Sequence, residues 1–231
     1  MVLTTGWGGD FSPLSNTETL EIGSNGQPQS QYQDHTRKIN GATGGFLSED
    51  FVTCGGYDFT SSSAAVTEKC YKLGASGSFA SMMTKRFHAA SIVLEDEKMW
   101  ILGGVSNGFS TLSSTEYIFS DGRNEDGPPM PIALDGHAMV KINDTTSLLV
   151  GGYRSGHGQL AYSKMTWFYD GKWIEGPDLQ KGRHAHSVGI IRDSVTLHEY
   201  VVAAGGENGF HLNDVEILDA QENKWEPGKL L

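Results

Sequence analysis

The chain has 231 residues, 30 of them glycine, with 38 % hydrophobic content and a formal net charge of −11. That is enough apolar material for a packed core and too much for a disordered chain. The acidity argues against a nucleic-acid backbone as the main partner, which needs a basic footprint, and against an anionic lipid surface; no apolar run approaches the ~18 residues of a membrane span.

The first ten residues, MVLTTGWGGD, hold no basic stretch and no long apolar run, so no signal peptide is expected. Apolar runs ending in a glycine pair then recur at Gly8-Gly9, Gly55-Gly56, Gly103-Gly104, Gly151-Gly152 and Gly205-Gly206, at intervals of 47, 48, 48 and 54 residues. Gly44-Gly45 falls outside this phase. Other marks keep step. About 34 residues past each of the first four pairs stand Ala42, Ala89, His137 and His186; closer to the pairs stand Glu18, Glu68, Glu116 and Glu216, with Trp167 in the fourth copy. Trp173 and Trp225 mark the end of the last two copies.

Each unit therefore reads as four short strands separated by Gly, Asp, Asn and Ser turns: a (RFHAASIVL), b (KMWILGG), c (STEYIFS) and d (KWIEGPDL). No segment shows sustained helical periodicity. The units run about 1–37, 38–84, 85–133, 134–180 and 181–231, and the first opens on strand b with no strand a before it. A four-stranded unit at this period buries its faces only by stacking on neighbours, most simply in a radial array with short protected edges.

The glycine pair, the strand-c Glu, the strand-d Trp and the Arg-x-x-His at the head of strand a resemble the kelch motif of β-propellers, over essentially residues 2–231. The first two units lack the Arg-x-x-His pair and a clear strand-d Trp. The resemblance implies an all-β kelch-type propeller of about five four-stranded blades, the first lacking its inner strand. Either a five-bladed ring closes imperfectly, or the chain is part of a longer six-bladed parent. Neither the tyrosine, cysteine and histidine ligands of copper-radical oxidases nor the Glu-x-x-x-Asp-x-x-x-His pattern of iron-dependent specifier proteins is present. No cofactor, no catalytic residue and no metal are therefore expected. His137 and His186, with His88 and His184 nearby, read as buried histidines because no carboxylate repeats beside them.

Cys54 and Cys70, the only cysteines, are symmetric about residue 62 on neighbouring antiparallel strands, so a disulfide is expected; two buried small apolar residues are the alternative. Their setting, CGGYDF…TEKCY, also resembles extracellular invertebrate kelch proteins. Asn143-Asp144-Thr145 is a glycosylation sequon in an a–b loop. These features favour a secreted protein, with a cytoplasmic location as the alternative.

In a propeller the b–c and d–a loops share one face and the a–b and c–d loops the other. The second set is acidic. The first carries most of the arginines and many aromatic residues. The expected partner-binding residues there are Trp7, Tyr57, Phe59, Arg86, Phe109, Tyr153, Arg154, His157, Arg183, Phe210 and His211. They point to a non-enzymatic interaction or structural module binding a protein or peptide of acidic character, with no nucleic acid, no membrane insertion and room for assembly into a larger complex. The alternatives are an intracellular adaptor or actin-binding propeller, and a sugar-acting or oxidase-type enzyme, a sialic-acid mutarotase being the hardest to exclude.

Overall fold

A computed structural model describes residues 2–3, 16–22, 28–34, 37–95, 97–156, 158–193, 195–219 and 222–228. It is built from small antiparallel sheets taken one after another along the chain. Strands β1 (Val2–Leu3), β2 (Asn16–Ile22) and β3 (Pro28–Asp34) form the first, three-stranded sheet. Next come β4 (Ile39–Asn40), β5 (Thr43–Leu47), β6 (Asp50–Cys54), β7 (Tyr57–Asp58), β8 (Ala65–Val66), β9 (Lys69–Lys72) and β10 (Ser78–Ser81). Of these, β5-β6-β9-β10 make the second blade, while β4, β7 and β8 form a small sheet beside it. The third blade is β11 (Ala90–Glu95), β12 (Lys98–Leu102), β13 (Thr115–Phe119) and β14 (Asn124–Asp126). The fourth is β15 (Ala138–Lys141), β16 (Ser147–Val150), β17 (Thr166–Tyr169) and β18 (Trp173–Glu175). The fifth is β19 (Ser187–Arg192), β20 (Glu199–Ala204), β21 (Val215–Asp219) and β22 (Lys224–Pro227). Among the described residues the one helical segment is a 3-10 turn, Gly158–Ala161.

The second strands are apolar almost throughout because both faces are covered. On β12, Met99 and Ile101 point into a core shared with the second blade, alongside Leu47, Val52 and Met82. Trp100 and Leu102, on the other side of the pleat, point into a core shared with the fourth, with Leu134 and Leu149. On β16 the alternation repeats: Leu149 faces back, while Leu148 and Val150 face forward against Val201, Leu218 and Trp225. The period of two thus divides each strand between two interfaces, and the cores lie between blades rather than within them. Trp173 closes the outer end of one interface. Its ring lies 5.7 Å from Trp100, and its Nε1–H donates to the Pro129 carbonyl at 2.8 Å.

Near the axis the backbone carries the joints. Gly103 and Gly104 have φ of 59° and 91°. A Cβ on Gly104 would meet the Phe87 carbonyl at 2.7 Å, and one on Gly103 the Leu134 carbonyl at 2.6 Å. The first contact is within the blade and the second is with the next blade, so only glycine fits at either place. The Gly104 N–H spans the interface to the Leu134 carbonyl at 2.8 Å, as Gly56 does to Arg86 and Gly152 to Arg183. At the head of each inner strand, Gly41, His88, Gly136 and Ala185 all take left-handed φ, between 53° and 67°. Each of the last three donates its N–H to the carbonyl of the one before: His88 to Gly41, Gly136 to His88 and Ala185 to Gly136, at 2.8, 2.9 and 2.8 Å.

Two blades are pinned by a buried ion pair. Arg86, 1 % exposed, reaches Glu116 at 2.7 Å and also donates to the carbonyls of Gly103 and Ser114. Glu116 in turn accepts the N–H groups of Met83 and Thr84, fixing the crossover from the second blade. Arg183, 0 % exposed, and Glu216 repeat this in the fifth blade, with Glu216 accepting Gln180 and Lys181 N–H. Arg86 and Arg183 are therefore not presented to a partner, contrary to the expectation from sequence; their charge is spent inside the blade. In the fourth blade the same two positions hold Leu134 and Trp167. In the second they hold Ile39 and Tyr71, because Gly55 N–H bonds to Lys69 where Gly103 N–H bonds to Ser114. Glu68 is thus three residues out of register with Glu116, and pairs with Lys85 at 3.4 Å instead.

Cys54 and Cys70 are directly paired across β6 and β9 and joined by a disulfide, both side chains buried in the core shared with the third blade. Sequence symmetry was sufficient to find this bond because the two strands are hydrogen-bonded neighbours.

Glu116→Ala should lower the unfolding free energy by about 3–5 kcal/mol, since it strands a buried guanidinium. The double substitution Arg86→Leu/Glu116→Trp, which copies the fourth blade, should recover most of that in urea denaturation. The pair Cys54→Ala/Cys70→Ala should cost about 3 kcal/mol for a cross-link of sequence separation 16; an unchanged urea midpoint would show the bond to be stabilising nothing.

Candidate functional site

The left-handed turn at the head of each inner strand throws the flanking side chains over the mouth of the axis, on the side where the glycine pairs lie. Phe87, Asp135 and His184 hold equivalent places in three successive blades, each bridged to the residue after its glycine pair: Val105, Tyr153 and Glu207. His88 follows one residue later. Three chemically different residues at one repeat position, plus a neighbour, therefore converge.

Asp135 Oδ2 lies 3.5 Å from His184 Nε2 and 3.8 Å from His88 Nδ1. His184 Nδ1 faces Glu207 Oε1 at 3.4 Å. Asp135 is 6 % exposed, and its Oδ1 has no hydrogen-bond partner. Burial opposes ionisation of Asp135, but the two imidazoles outweigh it and hold the carboxyl below its ordinary pKa. Burial likewise opposes charge on His184, and Asp135 and Glu207 prevail, holding its pKa above the ordinary imidazole value.

Around this cluster the rings are linked edge to face, except for a tilted contact at the Phe59 end. Phe59 meets Tyr57 at 5.0 Å, Tyr57 meets Phe87 at 6.0 Å, Phe87 meets His88 at 4.8 Å and His88 meets His184 at 6.0 Å. His184 then meets Tyr153 at 5.8 Å, and Tyr153 meets Tyr162 at 5.2 Å. Seven side chains from four blades thus form one unbroken band. Beyond it a cleft of about 350 Å3 between the fourth and fifth blades is lined by Arg154, Tyr162, Lys164 and Asn208.

Of the partner residues expected from sequence, Tyr57, Phe59 and Tyr153 are in this band and Arg154 is in the cleft. Phe109 and Phe210 stand out from it, 71 % and 83 % exposed, and His211 is exposed beside Phe210. Phe109 sits at the tip of a tight turn with φ of 55°, an unusual conformation for a bulky residue. Trp7 and His157 lie outside the described residues. Asn143 occupies an exposed turn, where its Oδ1 accepts the Thr145 and Thr146 N–H groups. Asp135 and Glu207 were missed as site residues, because a search for repeated carboxylates cannot find residues that occur once each.

His137 and His186 lie one step further into the inner strands, buried, with both ring nitrogens of each unbonded. Their rings fill the space beside Gly103 and Gly151. Burial holds His137 at about 4, with Asp135 opposing and His184 and Arg86 adding to the shift. Burial also holds His186 at about 3, with Arg183, His137 and His184 adding to it.

The family model described as the kelch motif matches residues 193–229. A solved structure, that of YjhT, aligns over 97 % of this chain and 83 % of its own, with a TM-score of 0.67 and 12 % identity. The fold is that of a kelch-type β-propeller. At that identity the propeller's likeness to YjhT concerns the fold alone. A search of curated protein sequences returns no match.

The two neutral histidines make the propeller acid-sensitive. Their folded pKa values, about 4 and about 3, lie below the ordinary 6.5, so the unfolded chain takes up protons first. Their contribution is complete above pH 6.5 and is lost as pH falls toward 4, by up to about 1.4 kcal/mol per unit for each ring. The raised pKa of His184 acts in the opposite sense, stabilising below 6.5 and fading as pH rises through its folded value. The double variant His137→Ala/His186→Ala, which places in these blades the residue of Ala42 and Ala89, should flatten the acid limb of urea midpoints measured against pH.

Proposed function

We propose that the chain is a non-enzymatic recognition module that binds a protein or peptide on its glycine-pair face. The observation that carries this is the band of rings across four blades, flanked by Phe109 and Phe210 standing in solvent. Aromatic side chains on a rigid β scaffold supply contact area at little entropic cost. A strained, exposed phenylalanine at the tip of a turn is the kind of feature that recognition sites retain.

The charge complement of such a partner differs from the one expected. With Arg86 and Arg183 withdrawn, and Arg37, Lys85 and Lys181 paired to Asp58, Glu68 and Asp214, the cations left for partner carboxylates are, beside the exposed Lys38, Arg154 and Lys164 in the cleft. Neither makes an ion pair with a described residue. An acidic segment entering the cleft would meet both, with the ring band on its apolar side. The disulfide supports an oxidising compartment, and hence a secreted protein, as its working environment.

The test compares the wild-type chain with Phe109→Ala/Tyr153→Ala/Phe210→Ala and with Arg123→Ala on the opposite face, in quantitative affinity capture from the native fluid. Partners specific to this face should bind at least about 30-fold more weakly to the triple variant, the loss of one hot spot of about 2 kcal/mol. They should bind Arg123→Ala unchanged. If every captured protein is retained equally by all three, recognition lies elsewhere.

A further inference from the structure

We propose that His88, Asp135 and His184 form a binding site for one late first-row divalent cation of the zinc type, at the mouth of the propeller axis. The three residues come from three blades, and their nearest donor atoms all lie within 4.8 Å of one another. A cation bonded to each at about 2.0–2.2 Å holds its donors roughly 3–3.5 Å apart. Small side-chain rotations close that gap, since none of the three donors is tied by a short hydrogen bond: the contacts within the cluster are 3.5 and 3.8 Å.

Three features distinguish this cluster from an incidental ion pair. First, Asp135 is almost fully buried, yet its Oδ1 is left unbonded; a buried unsatisfied carboxylate oxygen is costly and asks for a positive partner. Second, His184 presents Nε2 to Asp135, while its buried Nδ1, which makes no hydrogen bond among the described residues, has the Glu207 carboxylate 3.4 Å away and within reach. A carboxylate behind the distal nitrogen is what orients a ligating imidazole and raises its basicity. Third, the left-handed position that carries Gly41, Gly136 and Ala185 in the other blades carries an imidazole only at His88, where the backbone fixed by the fold sets that ring 3.8 Å from Asp135.

The donor set identifies the class of ion. Two imidazoles and one carboxylate suit zinc and its neighbours, whereas calcium and magnesium take oxygen donors. Three protein donors leave at least one position open, and His88 is 38 % exposed, so the open position faces the mouth of the axis. A donor atom from a docking partner could complete the shell there. The cation site itself stands independently of any such partner.

The experiment uses the untagged full chain, dialysed against chelator and titrated with Zn2+ by calorimetry, with Co2+ as a spectroscopic substitute. The expected result is one equivalent bound, a visible Co2+ absorption band and a raised melting temperature in the loaded protein. His184→Gln and His88→Asn should each weaken binding at least 100-fold. Glu207→Gln should weaken it 10- to 100-fold, as an outer partner does. Asparagine tolerates a left-handed φ, so His88→Asn keeps the test sound even if His184→Gln fails to fold; circular dichroism checks both. Absence of saturable uptake by the folded wild type overturns the proposal. So does one-equivalent binding that neither His88→Asn nor His184→Gln alters.

Discussion

The left-handed step at Gly41, His88, Gly136 and Ala185 is the constraint from which most of the molecule follows. It turns each inner strand sharply into the axis and frees a carbonyl to accept the next blade's N–H. Non-glycine residues enter that conformation at a cost of roughly 1–2 kcal/mol, so His88 and Ala185 are held there by the backbone bonds they make. The turn also fixes where the preceding residue points. Phe87, Asp135 and His184 overhang the axis because the backbone, not their own chemistry, directs them there.

Around that axis the blades solve one packing problem in two ways. The third and fifth blades bury an arginine-glutamate pair and use its spare hydrogen bonds to hold the preceding crossover. The second and fourth fill the same space with Ile39 and Tyr71 or Leu134 and Trp167. Both are stable because the exchange replaces both partners together; a lone buried charge is the state avoided. The cation at this position is therefore a matter of internal architecture, although from sequence it looks like part of a basic surface.

The repeat, the four-strand order and the disulfide were legible in the sequence because each depends on local chain geometry. Glycine pairs mark backbone contacts that no side chain permits, and Cys54 and Cys70 are symmetric about a single loop. Burial of Arg86 and Arg183 was not legible, since a guanidinium beside a turn has the same sequence signature whether it points inward or outward. The registration of Glu68 failed because VTEKCY resembles STEYIF, while the longer second-blade loop shifts the hydrogen bonding by three residues. The axial cluster was hidden for a different reason. Repeat analysis rewards identity at equivalent positions, and His184 and Asp135 are equivalent in place and unlike in kind.

The location of the apolar cores has a consequence for cooperativity. Each one is shared by two adjacent blades, so a blade's stability is largely a sum of terms with its immediate neighbours. Such an array behaves as a one-dimensional chain of coupled units, in which local damage need not spread. The axial run of backbone bonds, Gly41 to His88 to Gly136 to Ala185, adds a further nearest-neighbour link at each of the three interfaces it crosses, so opening at one blade is felt first by the blades beside it.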